Sequence, residues 1–285
     1  MSRTALPRAG TLLGRRYALV GPLGRGGSGE VHRAVDVRLD RPVALKVFQL
    51  TSAPPDEIRR YAREARVLSG LSHPGLVALL DVGADTHPTL GPVAFLAMEL
   101  VDGPTLRDVL DDGPLDATET ALVGLQLAQA LGHAHGVGIV HRDVKPSNVL
   151  LDAGRAAPPG HDRRAPAVVL ADFGIALPSA AAGTGADCSG TAGYHSPEQA
   201  LGRPLGPSSD IYSLGLVLLE CRTGRRTFPG DPLSASLARL LEPVQVPDEL
   251  GTDWCRLLRA MTAEDPDRRP AATAVVAELR ALAVA

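Results

Sequence analysis

An aspartate, a lysine two residues on and an asparagine five residues on stand together at Asp143, Lys145 and Asn148, inside His141-Arg142-Asp143-Val144-Lys145-Pro146-Ser147-Asn148. These residue types at this spacing suit the movement of a phosphoryl group. The carboxylate can orient an attacking hydroxyl and accept its proton. The ammonium can neutralise the group in transit, and the amide oxygen can ligate a divalent metal. The stretch lies between apolar Ile139-Val140 and Val149-Leu150-Leu151, so taken alone it also fits a polar turn between two strands.

The elements that must position these groups can be read along the chain. Residues 1–14 have no clear period and are expected as a frayed leader. From Tyr17 the pattern is strand, then Leu23-Gly24-Arg25-Gly26-Gly27-Ser28-Gly29-Glu30-Val31, then an extended run to Val37. Strand, glycine-rich turn, strand is a hairpin with a bare tip, which lets backbone N–H groups approach phosphate oxygens. Pro42 to Phe48 alternates as a strand and carries Lys46. Ile58, Tyr61, Ala65 and Leu68 recur on one face of a helix expected over Asp56 to Ser69. Strands are expected at Leu76–Val82 and Pro92–Leu100, and helices at Thr105–Leu110 and Asp116–His135, the second of them buried. Asp152 to Ala167, rich in Pro, Gly and Arg, reads as a flexible surface insertion. Val168 to Ala171 is a strand ending in Asp172-Phe173-Gly174, 29 residues after Asp143. Ser208–Arg222 is an apolar helix containing Asp210, and Ala271–Leu282 is a final helix.

Taken together these motifs resemble the eukaryotic-type protein kinases, most closely the serine/threonine class in bacterial form. His141 to Asn148 is similar to their H-R-D-x-K-x-x-N catalytic loop, and Gly24-x-Gly26-x-x-Gly29-x-Val31 to their glycine loop. A dinucleotide-binding turn shares G-x-G-x-x-G but must open a helix, whereas a second strand follows here. Val43-Ala44-Leu45-Lys46 resembles V-A-I-K, Asp172-Phe173-Gly174 is D-F-G, and Ser196-Pro197-Glu198 stands where A-P-E is usual. Asp265-Pro266-Asp267-Arg268-Arg269-Pro270 resembles the late D-P-x-x-R-P element.

The resemblance implies an α+β, bilobal protein-kinase fold. Its N-lobe, about 15–100, would be a small antiparallel β-sheet plus one helix, and its C-lobe, about 101–283, larger and mainly helical. It implies ATP with Mg2+, or Mn2+ in its place, held by Asn148 and Asp172. Asp143 and Lys145 would act at the transferred group, with Lys46 on the α- and β-phosphates and Glu64 pairing with Lys46. The nucleotide would lie against Leu23, Gly24, Arg25, Gly26, Gly27, Ser28, Gly29, Val31, Ala44, Lys46, Met98 and Leu150. Backbone groups of Glu99 and Val101 would bond adenine. Asp210 would brace the catalytic loop, and Glu198 would pair with Arg269. Partners would be ATP and proteins offering Ser or Thr hydroxyls, the chain itself among them, with Ser179, Thr184 and Ser189 as acceptors. Arg142 would read that phosphorylation. No Lys or Arg occurs between Asp172 and Arg203 to help it, although Arg60 could.

Bulk properties narrow the alternatives. With 285 residues and 45% hydrophobic content, one two-lobed domain is the expected organisation, with no second domain. A net charge of −3 argues against a general nucleic-acid binder. Cys188, Cys221 and Cys255 are odd in number and lack metal-ligand spacing, as reduced cytoplasmic thiols do. The longest apolar segment, about 121–140, is interrupted by Gln126, Gln129, His133 and His135, too polar to span a bilayer. Only two of the 29 basic residues are lysines, Lys46 and Lys145, and both fall where a compact ammonium suits better than a planar fork. Two rival readings share the resemblance: a catalytically silent scaffold, and a small-molecule phosphotransferase. Intact Lys46, Asp143 and Asp172 speak against the first, and the elements at Ser196–Glu198 and Asp265–Pro270 against the second.

Overall fold

The computed structural model describes residues 10–26, 29–50, 69–87, 91–156, 166–173 and 192–284. The chain divides into two compact units. The first holds the described residues up to Ser72 together with Val77–Val101; the second holds His73–Leu76 and those from Asp102 onward.

The first unit is a six-stranded, wholly antiparallel sheet in the order β1-β2-β3-β4-β6-β5. The strands are β1 Leu12–Leu13, β2 Tyr17–Gly26, β3 Gly29–Asp36, β4 Arg41–Gln49, β5 Leu79–His87 and β6 Gly91–Glu99. One face carries the core, with Leu13, Tyr17, Leu19, Val43, Leu45 and Phe95 at its centre. Phe95 packs edge-on to Tyr17 at 5.5 Å. It also presses on bare backbone: a Cβ at Gly83 would come within 2.2 Å of its ring. The sheet is laced by Arg16, whose fork bonds both oxygens of buried Asp36 (2.8 and 2.7 Å) while Nη1 reaches Asp81 (2.7 Å). The Arg16 bond outweighs burial and holds the Asp36 carboxyl below its usual range.

The second unit carries the seven helices of the described residues: α1 Leu106–Asp112, α2 Ala117–Gly136, α3 Pro197–Ala200, α4 Pro207–Thr223, α5 Pro232–Leu241, α6 Thr252–Met261 and α7 Ala272–Leu282. Capping boxes fix the starts of α1 (Thr105 with Asp108), α2 (Asp116 with Glu119) and α3 (Ser196 with Gln199). Helices α2 and α4 bury nearly every side of their length, as central elements of a helical core do. A hairpin of β7 Val149–Ala156 and β8 Pro166–Leu170 lies against α2. Gln126 on α2 takes the Val168 N–H at 2.9 Å, which fixes the hairpin on the helix.

Several expectations are corrected. Leu12–Leu13 is not frayed, because it pairs with β2 and sinks Leu13 into the core. β5 starts at Leu79 instead of Leu76; Leu76 bonds β8 by a single parallel bridge instead. The insertion is shorter than Asp152–Ala167, since β7 continues to Ala156 and β8 begins at Pro166. Helices α5 and α6 were not anticipated. The helix expected over Asp56–Ser69 lies almost wholly outside the described residues.

Candidate active site

The hairpin is the device that assembles the site. The catalytic loop leads into β7 and Asp172 follows β8, and the Ala171 N–H donates to the Asn148 carbonyl at 2.8 Å. That single rung brings Asn148 and Asp172 to adjacent chain ends. The loop between is braced by Asp210, on the first turn of α4 and 1% exposed. Its Oδ2 accepts the His141 N–H and its Oδ1 the Arg142 N–H, both at 2.8 Å. His135 Nε2 lies 2.8 Å from the same carboxylate. From the other side, Gln199 Nε2 donates to the Arg142 carbonyl at 2.8 Å.

This bracing permits two backbone conformations that side-chain-bearing residues rarely adopt: Arg142 at φ 70° and Asp172 at φ 64°. Each costs about 1–2 kcal/mol and persists where surrounding bonds over-determine it. His141 is fully buried, and its partners fix its tautomer. Nε2 donates to the Ala171 carbonyl at 3.1 Å, and Nδ1 accepts the Asp143 N–H at 3.3 Å. Burial pushes its pKa below the ordinary range, against the pull of Asp210, Asp143 and Asp172. The neutral ring lies 4.6 Å from Phe173, centroid to centroid, so it ties both ends of the hairpin together.

Within this frame Asp143 is held asymmetrically. Its Oδ2 takes both the Lys145 ammonium at 2.9 Å and the Asn148 Nδ2 at 3.0 Å. Oδ1 makes no hydrogen bond to a described residue. The carboxylate is thus anchored through one oxygen and can accept a proton on the other. Asn148 Nδ2 also donates to the Asp143 carbonyl at 2.8 Å. Both its hydrogens are therefore engaged, and Oδ1 is left as an acceptor. Among the described residues no three His, Cys, Asp or Glu side chains form a metal site by themselves. Asn148 and Asp172 instead supply one amide oxygen and one carboxylate, the donor set of a hard cation that completes its shell with phosphate oxygens and water.

The segment after the loop is equally fixed. Tyr194 is buried and its hydroxyl bonds Glu220, which also takes Arg107 at 2.8 Å. Burial and the Glu220 charge push the Tyr194 phenol far up. Glu198 on α3 meets Arg269 through a two-bond fork at 2.7 and 3.0 Å and accepts from Ser209 at 2.6 Å. Burial alone would raise the Glu198 pKa, but these donors hold it below the ordinary value. All five Arg269 N–H groups are satisfied, the rest by carbonyls of Ala263, Ser208 and Glu264.

In the first unit, β2 and β3 pair Gly24 with Val31 and Gly26 with Gly29. Gly29, at φ 149°, sits where a Cβ would lie 2.8 Å from the Val47 carbonyl, so only glycine closes the hairpin this tightly. Lys46 on β4 pairs with Val31. It shares with Ala44 and Phe48 the strand face opposite the core, and is 4% exposed. Its Nζ stands 5.5 Å over the Phe48 ring. Ala44 pairs with Met98. The Glu99 N–H donates to the Ala78 carbonyl at 3.0 Å, so of the backbone groups expected at Glu99 the amide is already used. Val101 is buried, and Leu23 is exposed at the rim of the sheet.

The comparisons with known proteins bear on the whole arrangement. The family model described as protein kinase domain matches residues 17–279. The chain belongs to the protein kinase family. Among curated proteins it is 39% identical over 267 residues to serine/threonine-protein kinase PknB of Mycobacterium leprae, covering 90% of this chain and 41% of that protein. PknB of Mycobacterium tuberculosis strain H37Rv gives 39% over 268 residues, again 41% of its length. Serine/threonine-protein kinase PknA of Mycobacterium tuberculosis strain H37Ra gives 39% over 270 residues, 92% of this chain and 60% of that protein. The chain therefore spans about two to three fifths of the length of these relatives.

Of the residues singled out from the sequence, Asp143, Lys145 and Asn148 form one bonded cluster, with Asp172 delivered beside them by the hairpin. Lys46, Gly24, Gly26, Gly29, Val31, Ala44 and Met98 lie on adjoining strands of the six-stranded sheet, and Leu150 on β7 forms an antiparallel bridge with Thr105. Glu64, Gly27, Ser28, Arg60 and the acceptors Ser179, Thr184 and Ser189 lie outside the described residues, as does the side chain of Arg25. Sequence reasoning missed Gln199, His135 and the Arg107–Tyr194–Glu220 cluster. The Ser-x-x-Gln of a capping box at Ser196–Gln199 was the available signal for the first.

Proposed function

We propose that this chain is an active kinase domain that transfers the γ-phosphoryl of ATP to serine or threonine hydroxyls of proteins, with magnesium as the metal. The carrying observation is the one-sided anchoring of Asp143, by Lys145 and Asn148 on Oδ2. Asp143 Oδ1 would orient the acceptor hydroxyl and take its proton as the oxygen attacks phosphorus, with ADP oxygen departing in line. Lys145 would offset charge on the phosphoryl in transit, and Lys46, paired with Glu64, would hold the α- and β-phosphates. Asn148 Oδ1 and Asp172 would hold the metal, which offsets phosphate charge when bound. Positioning and electrostatics supply most of the rate in such a site. A lysine two residues after the aspartate, and relatives named serine/threonine-protein kinases, favour Ser and Thr over Tyr. We also propose autophosphorylation at Ser179, Thr184 or Ser189 with modest activation, and a cytoplasmic location, where ATP is at hand.

The test is transfer of labelled γ-phosphate to a generic protein substrate, followed by phosphoamino-acid analysis. The wild type should yield phosphoserine and phosphothreonine, and Asp143→Asn should lose turnover while still binding nucleotide. Full turnover by Asp143→Asn would overturn the proposal.

A further inference from the structure

Arg239, on α5, is among the largest fully buried side chains of the described residues, at 2% exposure. Its Nη2 donates to the Ala192 carbonyl at 2.7 Å, but Nε and Nη1 are buried with no hydrogen-bond partner. Among the described residues no carboxylate lies within ion-pair distance of it. Its neighbours are the Phe228 ring, 4.6 Å away, and the Tyr212 hydroxyl, and neutral groups of this kind offset a buried charge only in part. Arg269 in the same unit shows the contrast, with a carboxylate fork and every N–H satisfied. Guanidinium stays charged at neutral pH even when burial works against it.

The position of this charge matters because of what Ala192 leads into. Ala192–Tyr194 is a short 3-10 turn, followed by His195, the Ser196 cap and Gln199. Gln199 bonds the Arg142 carbonyl next to Asp143. Arg239 thus holds, through the Ala192 carbonyl, the start of the segment that Gln199 bonds to the catalytic loop. His195 is coupled to both centres: burial first and then the Arg239 charge depress its pKa, while Asp143 raises it and Lys145 lowers it. A buried charge without a counter-charge among the described residues acts through low-dielectric protein on whatever binds near it, with no need for direct contact.

We infer that Arg239 makes this kinase select acceptor segments that carry an acidic residue beside the phosphorylated hydroxyl. The inference rests on the proposed phosphotransfer and adds its substrate class. Anionic flanks would be drawn to the surface over Ala192–His195, and lysine or arginine flanks repelled, so discrimination comes from repulsion as well as attraction.

The test compares kcat/KM of the intact chain on serine peptides identical except for Glu, Ala or Lys in the flanking positions, at low and high salt. The Glu peptides should exceed the Lys peptides by about tenfold at low salt, with the ratio shrinking as salt rises. Arg239→Met should bring the ratio towards one, and Arg239→Lys should keep most of it. A purely structural prop would lower turnover of all peptides alike and leave the ratio untouched. A wild type that is indifferent to flanking charge or prefers Lys overturns the inference, as does an Arg239→Met variant that keeps the ratio. These results would leave phosphotransfer itself standing. Transfer to no peptide and to no generic protein would overturn the proposed activity and this inference with it.

Discussion

Replacing Asp210 by asparagine keeps shape and volume but removes one acceptor from a site that uses both. Oδ1 and Oδ2 each take a loop N–H at 2.8 Å, from Arg142 and His141. The amide keeps one oxygen and turns an NH2 group towards the other N–H, donor against donor. A hydrogen bond to a buried charge contributes about 1.5–3 kcal/mol, and the stranded N–H adds about 1–3 kcal/mol of unmet desolvation. Partial relaxation brings the expected loss to about 3–4 kcal/mol. Chemistry should suffer too, because those bonds hold Arg142 at φ 70° immediately before Asp143. A shift of about 1 Å in a reacting group can cost on the order of 100-fold in rate. Urea unfolding, followed through Trp254, the sole tryptophan and buried in α6 of the same unit, reads stability. Steady-state kcat on a peptide reads positioning. Stability within about 1 kcal/mol of wild type together with kcat within about twofold would refute the brace.

Four further outcomes are expected. Lys46→Met should fold normally and lose phosphotransfer by orders of magnitude; near-normal turnover would remove Lys46 from the phosphate site. Asp172→Asn should weaken metal-dependent nucleotide binding in calorimetry, whereas Asp143→Asn should spare it, and the reverse pattern would exchange their roles. Arg269→Leu should cost about 3–5 kcal/mol by leaving Glu198 charged and buried, and adding Glu198→Gln should restore part of this in the same unfolding assay. Acidification should lower stability below the ordinary histidine value of 6.5, because burial depresses the His141, His73 and His195 pKa values. The unfolded chain then binds protons that the native state refuses. Urea midpoints that stay level or rise from pH 7.5 to about 5.5 would contradict this.

The site was legible in the sequence where chemistry forces both residue type and spacing. Asp143, Lys145 and Asn148 fall within one turn of chain, and their bonds to one another follow from that proximity. The partnership of Glu198 with Arg269, 71 residues apart, is not a matter of local spacing, and it came from the family's pattern. What stayed hidden was set by tertiary context. β1 is two residues long, too short for any period, and is a strand only because Leu13 finds the core beside Tyr17 and Phe95. Helix α6 did carry a signal: Trp254, Leu257, Leu258 and Met261 are buried at helical spacing. Helix α5 misleads, because its leucines do not mark its inner face. Leu233, Leu237 and Leu241 are exposed, while Ala235 and Arg239 are buried.

That inversion on α5 bears on how far function can be read from a chain. Periodic apolar residues ordinarily mark the face turned to the core, and an arginine four positions after an alanine reads as a solvated charge. Here the helix buries the arginine at the Ala192 turn, where its Nη2 is needed by a carbonyl. The catalytic groups of a kinase are fixed by phosphoryl chemistry and recur in order along the sequence. The groups that choose among substrates are fixed only by what the folded surface must discriminate. They therefore break the local rules that make the rest readable, and the role inferred for Arg239 would make its buried cation, without a described counter-charge, such a departure in this chain.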